Sequence, residues 1–81
     1  MSDGLPQVSG QNLVRLLERL GYEVVRQKGS HVRLTKLTSS GQHHLSVPAH
    51  RVIAKGTLND LLSVVSVRIG VPKEDLIAEL R

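Results

Sequence analysis

Apolar residues recur along the chain with two different periods, and the change of period marks out the elements. Leu13, Leu16, Leu17 and Leu20 follow an i, i+3, i+4, i+7 spacing, which predicts an amphipathic helix over about 10–20. Ser9 stands where an N-cap is needed, and Gly21 where a helix ends in a left-handed residue. From Tyr22 the pattern turns to β-formers. Tyr22–Gln27 reads as a strand, Lys28-Gly29-Ser30 as a turn, and residues 31–37 alternate, with Val32 and Leu34 on one side and His31, Arg33 and Thr35 on the other. Thr38-Ser39-Ser40-Gly41 predicts a second turn. Residues 42–47 then alternate again, with Leu45 and Val47 inward, His44 and Ser46 outward, and Pro48 ending the strand. Helical spacing returns with Leu58, Leu61, Leu62, Val65 and Ile69, behind an expected Thr57 cap and before Gly70. Pro72 opens a last short helix over about 73–80.

The order is α-β-β-β-α(-α), which predicts an α+β fold: a three-stranded antiparallel meander with the helices packed on one face. Small double-stranded-RNA-binding domains share this order. Residues 1–8 read as a flexible N-terminal arm and 9–81 as a single domain. The chain has 81 residues, one aromatic (Tyr22) and no cysteine, so its core is aliphatic and it has no thiolate nucleophile or disulfide. The start of the chain shows neither a basic n-region nor an apolar h-region, and no apolar run approaches membrane-spanning length. A cytoplasmic protein without a membrane partner is therefore expected.

Charge sharpens the functional reading. Eleven Lys and Arg against seven Asp and Glu give a formal net charge of +4, which favours a polyanionic partner. The cations Arg26, Lys28, Arg33, Lys36, Arg51 and Lys55 all fall between the first and last helical regions. Within that stretch His31 follows a tight Gly-Ser turn, flanked by Lys28 and Arg33. Gly29 permits close approach of a phosphate, and Ser30 can donate a hydrogen bond to it. An imidazole titrates near neutral pH, so at a phosphodiester it can take the proton of a ribose 2′-OH or protonate the leaving 5′-oxygen. Neighbouring cations stabilise the charge that develops. His31 is the catalytic candidate, and Lys28, Gly29, Ser30, Arg33, His50 and Lys55 are the substrate-binding candidates. Of these, Lys55 stands at a helix N-terminus, which attracts anions. For Lys55-Gly56-Thr57, however, an ordinary helix start is the stronger reading.

Four histidines invite a metal, but His43 and His44 are adjacent on a strand and point to opposite faces, with no carboxylate nearby. No metal or other cofactor is expected, and His43 reads as structural. The residues leave three functions open: an RNA-cleaving enzyme, a non-catalytic double-stranded-RNA-binding module, and a basic domain that only docks an acidic protein.

One resemblance covers about residues 9–70. The Leu-rich helix ending in Gly21-Tyr22, then Arg26-Gln27-Lys28-Gly29-Ser30-His31, Val47-Pro48-Ala49-His50 and Lys55-Gly56-Thr57-Leu58 come in the order and spacing of the HicA, or YcfA-like, family. These are mRNA interferase toxins of type II toxin–antitoxin systems. The resemblance implies a double-stranded-RNA-binding-like fold, an endoribonuclease acting on mRNA, a catalytic histidine at His31 beside Gly29, and a HicB-type antitoxin that covers the active site. The chain departs from the family pattern in two places. Val32 and Leu34 stand where an aromatic often follows the histidine, and the C-terminus continues through Lys73–Arg81. The sequence is silent on RNA sequence preference and on oligomeric state.

Overall fold

A computed structural model describes residues 4–81. The elements are α1 (Gly10–Arg19), β1 (Glu23–Lys28), β2 (His31–Thr38), β3 (Gly41–Pro48), α2 (Lys55–Ile69) and α3 (Lys73–Leu80). The strands form an antiparallel sheet in the order β1-β2-β3. The core lies on one face of it, where Val32, Leu34, Leu45 and Val47 meet Leu13, Leu16 and Leu17 of α1, Leu58, Leu62 and Val65 of α2, and Leu76 of α3. The other face is open. This is the expected α+β fold, with the element order and sheet of a double-stranded-RNA-binding domain.

Helix α1 begins and ends as its sequence predicts. The Ser9 hydroxyl accepts the Asn12 N–H at 3.1 Å. At the other end Gly21 has φ +100°, the Gly21 N–H donates to Glu18 and the Tyr22 N–H to Leu17, so both carbonyls are satisfied as the chain turns into β1.

Helix α2 differs from expectation. It starts at Lys55 with Ala54 at the N-cap, and no side chain caps it. Thr57 lies inside the first turn and is not the cap. The cause is tertiary: Ile53 is buried and its N–H donates to the Val8 carbonyl at 2.8 Å, which fixes the chain just before Ala54 and lets the helix begin early. The β-branched run in α2 stays helical because Leu58, Leu62 and Val65 are buried at helical spacing while Val64 and Val67 are exposed.

The N-terminal arm also needs correction. Val8 is 2% exposed and Leu5 packs against the core, so residues 5–8 belong to the folded unit. The part of the expected arm before Gly4 lies outside the described residues.

Candidate functional site

The β1–β2 hairpin builds the site. Lys28 and His31 pair across the strands, leaving Gly29-Ser30 as a two-residue loop. Gly29 has φ +59° and Ser30 does not have positive φ, the pattern of a type II′ turn with glycine first. A Cβ at Gly29 would meet nothing within 4 Å, so the residue is required for its backbone conformation and not for packing. The Ser30 carbonyl accepts the Ala49 N–H at 2.6 Å, which ties the hairpin tip to the segment after β3.

Register then decides which side chains share a face. Lys28, His31 and Pro48 form one cross-strand row on the open face, and Arg26, Arg33 and Ser46 form the next. Arg26, Lys28, His31, Arg33 and Ser46 line one shallow depression of about 310 Å³. Four of the five side chains are basic and no carboxylate lines it. Among the described residues the one carboxylate salt bridge, Arg19–Glu79, lies elsewhere. Two cations directly opposite each other repel, so the Arg26–Arg33 pair favours an anion between them.

Three of the expected site residues therefore meet: Lys28, His31 and Arg33. Gly29 and Ser30 form the tip beside them. His50 does not join this group; it lines a second and larger cleft with Gln27 and Arg51. Lys55 begins α2 and lines neither depression. Arg26 and Ser46 are additions. Both were available from parity, because Arg26 lies two residues before Lys28 and Ser46 lies on the outward side of its strand. The β-bulge between Val24 and Arg26 obscures this, since it puts Val24 with Leu34 and Arg26 with Arg33.

The remaining strand histidines separate as alternation predicts. His44 is exposed. His43 is 6% exposed, and its Nδ1 lies 2.7 Å from the Tyr22 hydroxyl in a buried hydrogen bond. Burial pushes the His43 pKa down, and the nearby Arg68 and His44 act the same way. Burial raises the Tyr22 pKa, with Arg68 opposing. His43 is thus a core residue paired with the single aromatic. Among the described residues no three His, Asp or Glu side chains are grouped as metal ligands would be. Among the described residues no helix is long and apolar enough to cross a membrane.

The fold and this face define a small basic α+β domain of the double-stranded-RNA-binding type, with one histidine exposed among unpaired cations. Residues 10–65 match the family model described as the HicA toxin of bacterial toxin–antitoxin systems. The chain belongs to the HicA toxin family, and so to toxin–antitoxin systems in which the toxin has an antitoxin partner. No curated protein and no solved structure matches the chain.

Proposed function

We propose that this toxin is an endoribonuclease acting on mRNA, with His31 as its general acid–base group. The carrying observation is the position of His31 on the open sheet face between Lys28 and Arg33, with Arg26 and Ser46 completing the depression. A phosphodiester seated there puts its negative oxygens against the three cations. The imidazole takes the 2′-OH proton as the 2′-oxygen bonds to phosphorus and the bond to the 5′-oxygen breaks. A proton delivered to that oxygen completes the transfer and leaves a 2′,3′-cyclic phosphate and a 5′-OH. The cations stabilise the charge on the phosphoryl oxygens while this happens. The groups required are a proton carrier and fixed positive charge, and the chemistry assigned here needs no metal ion. Gly29 and Ser30 position His31 at the tip. His50 and Lys55 are assigned outlying contacts to the RNA backbone. A HicB-type antitoxin that covers this face would switch the toxin off, and both partners would act in the cytoplasm.

Cleavage of RNA by wild type and His31→Ala in the presence of chelator tests the proposal. His31 is exposed at a strand end, so the variant should fold. Cleavage should fall by about 10²–10⁴-fold while RNA binding persists. Cleavage at the wild-type rate overturns the assignment. RNA binding without cleavage by wild type leaves a non-catalytic RNA-binding module.

A further inference from the structure

A cleft larger than the His31 depression lies between α1 and β1, on the opposite side of the sheet from His31. Its volume is about 570 Å³, inside the roughly 300–1,000 Å³ of small-molecule sites. It exists because the described residues leave the inward side of β1 largely uncovered: all six residues of that strand are exposed. Val24 shares a cross-strand row with buried Leu34 and Leu45, yet is 38% exposed. Gln27 shares a row with buried Val32 and Val47 and is also exposed, an amide where the alternation of the sheet calls for an apolar residue.

The lining has a particular chemistry. Val14, Val24 and Val32 supply aliphatic surface, Gln11 and Gln27 supply amides, and His50 and Arg51 close the end. No carboxylate lines the cleft. A phosphate alone would leave the valines in water, and a purely apolar ligand would leave both amides and the guanidinium unused. A nucleobase has two apolar faces and a hydrogen-bonding edge, and proteins that read single-stranded RNA hold splayed bases in this way. The cleft lining also reaches the hairpin tip that carries His31. Ala49 lines it, and the Ala49 N–H is bonded to the Ser30 carbonyl at the hairpin tip.

We propose that this cleft binds one unpaired nucleobase of the RNA, from a nucleotide next to the phosphate held at His31. The inference rests on the RNA reading above. RNA crossing the hairpin tip sets a phosphate on the cationic side and turns a neighbouring base into the cleft. Gln11 and Gln27 bond its edge, the valines contact its faces, and Arg51 holds the adjoining backbone. The toxin therefore selects single-stranded RNA, although its fold is that of a duplex-binding domain.

The test uses His31→Ala protein, to prevent cleavage, and a labelled single-stranded RNA oligonucleotide in which each position in turn is made abasic. The phosphate charge is then the same throughout. One abasic position should weaken binding by about 5- to 150-fold, the net worth of the two amide hydrogen bonds to its edge. That penalty should vanish in a Gln11→Ala, Gln27→Ala double variant, whose changed residues are both exposed, and in Val24→Trp, which fills the cleft. If RNA binds but no abasic position matters, or if the penalty survives both variants, the base subsite is overturned and the RNA reading stands. If these variants lose only antitoxin binding, the cleft is an antitoxin surface and the proposal fails. If RNA does not bind even at low salt, the RNA reading fails and the subsite falls with it.

Discussion

Arg26 and Arg33 stand directly opposite each other across β1 and β2 on the open face of the sheet, and no acidic side chain among the described residues forms an ion pair with either. Such a pair costs stability and gains only when an anion arrives. Replacing Arg26 by Thr should therefore stabilise the fold while weakening RNA binding. The gain is at the low end of about 0.2–1 kcal/mol because both side chains are exposed to solvent. Denaturant titration reads the first effect. The second appears as a drop of about 0.7 in the slope of log affinity against log salt on single-stranded RNA. Reduced stability with unchanged RNA affinity would show that the arginine is structural.

The Tyr22–His43 pair predicts a pH-dependent stability. Burial, Arg68 and His44 all hold the His43 pKa below its unfolded value of about 6.5, so the unfolded chain binds the proton more readily. Stability is then full above about pH 6.5, falls as pH drops from there toward the lowered folded value, and levels off below it. His43→Gln should flatten that part of the curve measured by denaturant midpoint. Tyr22→Phe removes the 2.7 Å bond and leaves a buried ring nitrogen without its partner, at a cost of about 1–3 kcal/mol.

Among the described glycines, Gly10 has the least room for a side chain. A Cβ there would lie 2.1 Å from the Pro48 carbonyl oxygen and 3.0 Å from the Ala49 Cα, while the Gly10 N–H already donates to the His50 carbonyl at 2.9 Å. Alanine would favour the helix by up to about 1 kcal/mol, but the clash is with backbone and cannot be relieved by a side-chain rotation. Gly10→Ala should lower stability by about 1–3 kcal/mol, read as a fall in Tm. Because Ala49 is bonded to the hairpin tip and lines the cleft with His50, RNA binding should weaken too.

Helix α3 lies beyond the matched segment 10–65, yet its Leu76 is 1% exposed and belongs to the same core as Leu58 and Leu62. The helix is further held by bonds from Lys73 to Asn59 and from Arg81 to the Gly4 carbonyl. Leu76→Ala should cost about 2–5 kcal/mol in thermal or chemical unfolding. An effect below 0.5 kcal/mol, that of an ordinary surface change, would mark α3 as an appendage.

Much of the site was legible because its logic is local. Strand alternation alone puts His31 and Arg33 on one face and His43 on the other, and the Gly29-Ser30 turn fixes where the hairpin ends. Arg26 shares the parity of Lys28, but the bulge between Val24 and Arg26 breaks the alternation before it, so the start of β1 does not tell which face Arg26 takes. Thr57 was misread as a cap because a good capping residue carries no record of where the chain before it is tied down. His50 is expected at the site from its place in the basic loop and Lys55 from its place at a helix start, yet His50 lines the other cleft and Lys55 lines neither depression.

The sequence by itself determined the element order, the inward and outward faces of β2 and β3, the turn that presents His31 and the family to which the chain belongs. These follow from periodicity and turn chemistry, which act over a few residues. Only the tertiary structure decided that Val8 and Ile53 tie the start of the chain to the entrance of α2. It also decided that Arg26 and Arg33 face each other, and that His50 opens onto a separate cleft beneath β1. Those depend on strand register and on which surfaces the helices leave uncovered, and both are set by packing between residues far apart in the chain.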